Sequence, residues 1–229
     1  MATLPEVMLV VNCLVCYDSL IYMNKSRLEA FSDGVFSIVI TLLILSIKVP
    51  TLGSGATDQV LWREIGLLIP AILIYVVTFA VISVLWINHH FLFHTFAKSV
   101  NRQLNLLNLL YLMFVAFLPF SADFFGLYIF HQPAAVVYGI NIFLISLVSL
   151  FMVRYIRKTP SILNRDLETR TIKQSRIRTG ISVFFALFGI VATFIYVPLS
   201  IFFYAFPVIF NIIPGTLDLS ERIFGFTLD

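Results

Sequence analysis

Residues 27–45 read RLEAFSDGVFSIVITLLIL, in which Arg27, Glu29 and Asp33 stand directly against an apolar run that continues to Ile47. A run of this length matches the roughly 20 residues that a helix needs to cross the hydrocarbon of a bilayer. The rest of the chain has the same character. Of its 229 residues 60% are hydrophobic, 12% are charged and 24 are Phe, and the mean hydropathy is +0.99. Ordinary soluble domains do not have this composition. The segments of about ten alternating residues expected of a membrane β-barrel are absent. The fold class expected is an all-α integral membrane protein.

Apolar runs predict six transmembrane helices, at 28–48, 63–88, 103–124, 134–153, 179–197 and 199–214. Pro198 is expected to divide the last two at a tight turn and leave the final helix short, because a proline removes a donor and restricts the residue before it. Three places concentrate cations: Lys25 and Arg27, Lys98 and Arg102, and the connection 154–178, where eight cations face only Asp166 and Glu168. The connections 49–62 and 125–133 are nearly free of them. Alternation of this kind is the positive-inside pattern, so both ends of the six-helix bundle are expected in the cytoplasm. The basic connection can also meet anionic lipid, at about 1 kcal/mol per cation near the surface.

The domain organisation expected is an N-terminal extension at 1–22, a six-helix domain at 23–214 and a cytoplasmic tail at 215–229. Residues 1–22 are apolar but interrupted by Asn12 and Asp18 and lack the positive start of a secretory signal. The chain from Met23, MNKSRLEAFSDG, reads like a natural beginning. The first 22 residues are therefore expected to be disordered or an upstream extension. Cys13 and Cys16 in that extension form a CxxC with no second pair or nearby His, which reads as two small apolar residues.

Enzyme motifs are missing: there is no GxxxxGK[ST], HExxH or GxSxG. TLGSG at 51–55 resembles a potassium-filter loop only superficially, since it lies in a short hydrophilic connection and reads as turn chemistry. RTIKQSRIR at 170–178 has spaced cations but polar neighbours, unlike a voltage sensor. The second span ends in WINHHFLFHTF, which gathers Trp86, His89, His90 and His94. His90 and His94, at i and i+4, share a helix face as a metal or haem pair would, and histidines here could also sense pH. Without a Cys or carboxylate beside them in the sequence, a hydrogen-bonded network is preferred and no metal or cofactor is expected.

Such a network answers the charges of the first helix. Arg27 and Asp33 point about 120° apart on a helix and cannot pair with each other. Each therefore needs a partner from another helix, because charge near hydrocarbon is costly. Trp86, His89, His90, Asn101, Asn105 and Asn108 are the candidates, with Arg27, Ser32 and Asp33 on the first helix; Glu29 is expected to snorkel to the interface. Gly34, Ile38, Thr41 and Leu45 fall within about 60° on that helix, with Leu42 at the stripe's edge. Such a stripe can line an axis or pack on neighbouring helices.

The string RxxxFSDGVFxIxxTLLxL, from Arg27 to Leu45, resembles the signature of the transmembrane protein 175 family, whose animal members are endolysosomal potassium channels. The resemblance extends over about 23–214, through Trp86, His89 and His90 and the LNLL…LPF pattern of the third span. With one six-span unit the chain is similar to the prokaryotic members. The resemblance implies a homotetramer in a prokaryotic plasma membrane, with the first helix lining a central pore and no re-entrant filter loop. It implies constriction or gate residues at Ile38, Leu42 and Leu45, and a selectivity role for Thr41. Monovalent cations, with potassium modestly preferred over sodium, and membrane lipid would be the partners, with no nucleic acid. The alternative class is a secondary transporter, which would show broken helices with polar groups at midplane, or a membrane sensor using the histidines.

Overall fold

The computed structural model describes residues 22–52, 55–164, 166–167 and 169–212. The CxxC, the N-terminal extension up to residue 21, part of the TLGSG loop and the tail at 215–229 lie outside the described residues. Among the described residues seven α-helices form, α3 and α4 together making one pass of the bundle: α1 (Lys25–Leu43), α2 (Asp58–Phe91), α3 (Arg102–Ala116), α4 (Leu118–Leu127), α5 (Gln132–Lys158), α6 (Thr169–Thr193) and α7 (Val197–Ile212). Among the described residues, 58–96, 102–127, 132–158 and 173–193 are long and apolar enough to cross a membrane. The 19-residue α1, with four charges at its start, and the 16-residue α7 fall short of that test.

The passes depart from the sequence expectation at four points, each with a local cause. α1 stops at Leu43 and a 3-10 turn, Ile44–Ser46, replaces its last turn, so Leu45 lies beyond the α-helix proper. α2 runs 34 residues, about 51 Å at 1.5 Å per residue, and a π turn, Leu92–Phe96, extends it. The third pass is not one helix. It breaks at Phe117 because Pro119 has no N–H to continue the ladder and opens α4 instead. The turn before α7 lies at Phe194–Tyr196, upstream of Pro198, since a proline in the first turn of a helix forfeits no bond.

α1 packs on α2, α3 and α4, whereas α6 is held between α5 and α7. A continuous core joins them, with Phe36, Ile82, Phe93, Phe125, Tyr138, Ile145 and Tyr204 all buried. The three basic regions meet at one end. Tyr22–Met23 pairs antiparallel with Val100–Asn101, and Ala97 bridges to Leu163 while Lys98 N donates to Ile162 O at 2.7 Å. These bonds tie the start of α1, the α2–α3 link and the connection after α5 into one layer.

Candidate functional site

α1 has two faces. Leu28, Ser32, Phe36, Val39 and Leu43 are buried against the rest of the chain; at 100° per residue they occupy an arc of about 80°. On the far side Ile38 and Leu45 are 59% and 71% exposed, Leu42 at the edge between the faces is 46% exposed, and Gly34 has open space where a Cβ would stand. Thr41 lies on that outer side too, its hydroxyl donating to the carbonyls of Ser37 (3.0 Å) and Ile38 (2.9 Å). The hydrogen is therefore committed to the helix, while the oxygen lone pairs are left outward.

Polar bonds fasten the inner face. His89 Nε2 donates to Asn108 Oδ1 at 2.7 Å, Asn108 Nδ2 donates to Ser32 Oγ at 3.0 Å, and Ser32 Oγ donates to Leu28 O at 2.9 Å. All three residues are buried, so this relay links α2, α3 and α1 with each group satisfied in turn. Aromatic packing encloses it: His89 stacks on Tyr111 at 5.5 Å and meets Phe36 at 5.5 Å and Phe93 at 4.7 Å. One helix turn nearer the surface of the seam, Trp86 Nε1 donates to Asp33 Oδ1 at 2.9 Å. Asp33 thus looks to another helix, as its geometry requires.

The other expected members of the network lie elsewhere. Among the described residues His90 has no hydrogen-bond partner, and it stacks between Trp86 (5.7 Å) and His94 (5.1 Å). Asn101 caps α3 through Leu104 N at 3.0 Å and donates to Tyr155 OH at 2.7 Å, tying α3 to α5. Arg27 and Asn105 border a shared cleft with Asn24 and Phe31, and no bond joins either to the relay.

Glu29 differs from expectation. Instead of snorkelling, it sits at the joint between α1 and the π turn, its Oε1 3.9 Å from Lys25 Nζ and 4.0 Å from His94 Nδ1. Lys25 Nζ in turn donates to His94 O at 3.1 Å. A carboxylate therefore does accompany the histidines, from a helix distant in sequence. The Lys25–Glu29 spacing of four was its local signal; the π turn that brings His94 into reach had none. Tyr155, which orders Asn101 and Gln103, was also missed and is marked only by its place near the end of the fourth pass.

Known proteins resemble this chain in sequence and in fold. A protein-family model described as endosomal/lysosomal potassium channel TMEM175 matches residues 27–119, the region of α1, α2, α3 and the start of α4. A potassium channel of Chryseobacterium sp. (strain P1-3) is 30% identical over 195 residues, covering 84% of this chain and 94% of that protein. A potassium channel of Streptomyces collinus is 34% identical over 162 residues, 68% of this chain and 76% of the relative. The crystal structure of a lysosomal potassium-selective channel TMEM175 homolog from Chamaesiphon minutus has a TM-score of 0.71 at 29% identity, covering 82% of this chain and 95% of that one.

Proposed function

The chain belongs to the TMEM175 potassium-channel family, and from that premise we propose that four copies of α1 surround a central pore through which potassium passes. It is a multi-pass membrane protein and a potassium channel, not an enzyme. The observation that carries the pore reading is the two-sidedness of α1. Its inner stripe is packed and hydrogen-bonded to α2 and α3, and its outer stripe of Ile38, Leu42 and Leu45 is left uncovered in a single chain.

In a homotetramer those outer side chains become stacked apolar rings. Narrow apolar rings exclude water, and an ion crossing them must shed part of its shell. Ile38 is then the gate, opening when a slight widening or rotation of α1 lets water bridge the ring; Leu42 and Leu45 form the further constrictions. Dehydration costs less for potassium than for the smaller sodium ion, which supports a modest preference for potassium. Thr41 adds a ring of hydroxyl oxygens with lone pairs free to face a cation, a contribution to selectivity short of a full hydration shell. The relay and the Asp33–Trp86 bond hold α1 in register and do not touch the ion. The basic end faces the cytoplasm of a prokaryotic cell, by the positive-inside rule.

Reversal potentials of the purified protein in planar bilayers, under opposed potassium and sodium gradients, test the reading. An ohmic current reversing toward the potassium equilibrium potential is expected, with Ile38→Asn raising conductance by hydrating the ring. Unchanged current in a folded Ile38→Asn tetramer would move the gate elsewhere, and a folded protein that is not tetrameric would remove the axial pore.

A further inference from the structure

Away from the outer face of α1, a cleft of about 250 Å3 lies where the C-terminal parts of α2 and α5 meet the N-terminal part of α6. Its walls have two characters. Ile87, Phe91 and Val153 are apolar, while Asn88, Ser175 and Arg178 carry donors. Among the described residues, the side chains of those three polar residues make no recorded hydrogen bond or ion pair, and no carboxylate lines the cleft. A guanidinium stays protonated at any working pH. A half-buried one in a membrane protein calls for a counter-anion, and among the described residues lining the cleft there is none. The cleft also opens at the end where the connection 154–178 concentrates eight cations, a potential that gathers negative lipid.

We propose that this cleft binds an anionic phospholipid of the leaflet facing the basic connection. Its phosphodiester sits on Arg178, whose planar fork matches two phosphate oxygens. Ser175 and Asn88 donate to the remaining oxygens. The cleft is too small for a whole lipid, so the acyl chains run outward along Ile87, Phe91 and Val153. A zwitterionic lipid has the same phosphate but brings a cation into a basic field, which sets the preference for net negative headgroups.

Native mass spectrometry of the full chain in detergent, titrated with phosphatidylglycerol or phosphatidylcholine of matched acyl chains, reads this directly and is independent of conduction. The wild type is expected to retain phosphatidylglycerol preferentially. Arg178→Gln should weaken that binding by about tenfold, while Arg102→Gln, at the same basic end but outside the cleft, should change it by less than about twofold. Ser175→Leu, which fills the cleft and keeps its charge, should weaken binding as well and guards against a fold defect particular to Arg178→Gln. Equal losses in Arg178→Gln and Arg102→Gln would overturn the site in favour of diffuse attraction. Displacement of the lipid by millimolar inorganic phosphate would mark a free-anion site instead, and a wild type retaining neither lipid would mean that a neighbouring subunit covers the cleft.

Discussion

Where α1 meets α2 and α3, buried polar side chains bridge the helices; where α5, α6 and α7 meet, a tyrosine ring stands on two glycines. In the first seam the contacts run His89 to Asn108 to Ser32, with Trp86 on Asp33 beside them. In the second, Tyr204 of α7 lies against Gly139 of α5 and Gly189 of α6, donates to Ala135 O at 3.1 Å and meets Tyr138 edge-on at 5.5 Å. Lipid tails are as apolar as leucine, so helices in a bilayer associate through close packing and hydrogen bonds and not through hydrophobic burial between them. The two seams divide these means. Small residues set how near α5, α6 and α7 come; directional bonds set which way α1 is turned. In the proposed tetramer only the second quantity decides what the axial face presents.

The largest expected effect breaks the packed seam. An alanine Cβ at Gly139 would collide with the Tyr204 hydroxyl and stand 2.6 Å from Tyr204 Cζ and 2.8 Å from Ile190 Cγ1. Tyr204 is buried, and its hydroxyl is held by the bond to Ala135 O. Gly139→Ala should cost about 3 kcal/mol, at the upper end for overpacking, measured by thermal or steric-trap unfolding of the detergent-solubilised protein. Adding Tyr204→Phe removes the colliding hydroxyl and should return part of the loss. A mutant of unchanged stability would mean that proximity is not what this seam supplies.

Next in size is the relay. Asn108→Leu strands the buried His89 Nε2–H and removes the bond that the Ser32 hydroxyl accepts, leaving that hydroxyl only its bond to Leu28 O, and should cost about 2 kcal/mol. Ser32→Ala, which strands only the Asn108 amide, should cost about 1 kcal/mol by the same reasoning. The order of the two on unfolding is the test: equal values would show that the extension to α1, and not the bridge between α2 and α3, carries the stability.

Trp86→Phe sharpens the comparison further, because it keeps an aromatic ring beside His90 while removing the donor to Asp33 and part of the indole. The stability loss should be about 1.5 kcal/mol, the value of a hydrogen bond to a charged group. If register is what the polar seam controls, single-channel conductance or open probability should change in Trp86→Phe more than in a Gly139→Ala protein assayed below its unfolding temperature. The reverse ranking would transfer control of α1 to the packed seam.

How much of this could be read beforehand follows from the same division. Periodicity and charge reveal that α1 is two-sided and that Asp33 must reach another helix, since both depend on angles along one segment. The Trp86 partner and the Asn108 position belong to a short candidate set because the end of the second span and the start of the third hold the polar residues on the same side as Asp33. Tyr204 between Gly139 and Gly189 was not legible, because three residues from three helices meet only through the final packing. The break at Phe117 was hidden by an uninterrupted apolar run: Pro119 can open a helix as readily as kink one. The π turn at Leu92–Phe96 left no mark in hydropathy either, and with it the approach of His94 to Glu29 went unseen.

The smallest expected effect concerns that last contact. Among the described residues Glu29 Oε1 has no hydrogen bond, and its neighbours Lys25 Nζ and His94 Nδ1 stand at 3.9 and 4.0 Å, the outer limit of an ion pair. The Lys25 ammonium is turned instead to the His94 carbonyl at 3.1 Å. Two partly exposed groups at that separation are worth about 0.5 kcal/mol, so Glu29→Gln should leave unfolding nearly unchanged at ordinary salt. The comparison then predicts a dissociation of readouts. Glu29 touches the π turn at the foot of α2 and lies on neither seam, so its removal should alter neither the proximity of α5–α7 nor the register of α1. A conductance change in Glu29→Gln without loss of stability would add this joint to the polar seam as a third control on α1. Silence in both assays would confine that control to the relay and the Asp33–Trp86 bond.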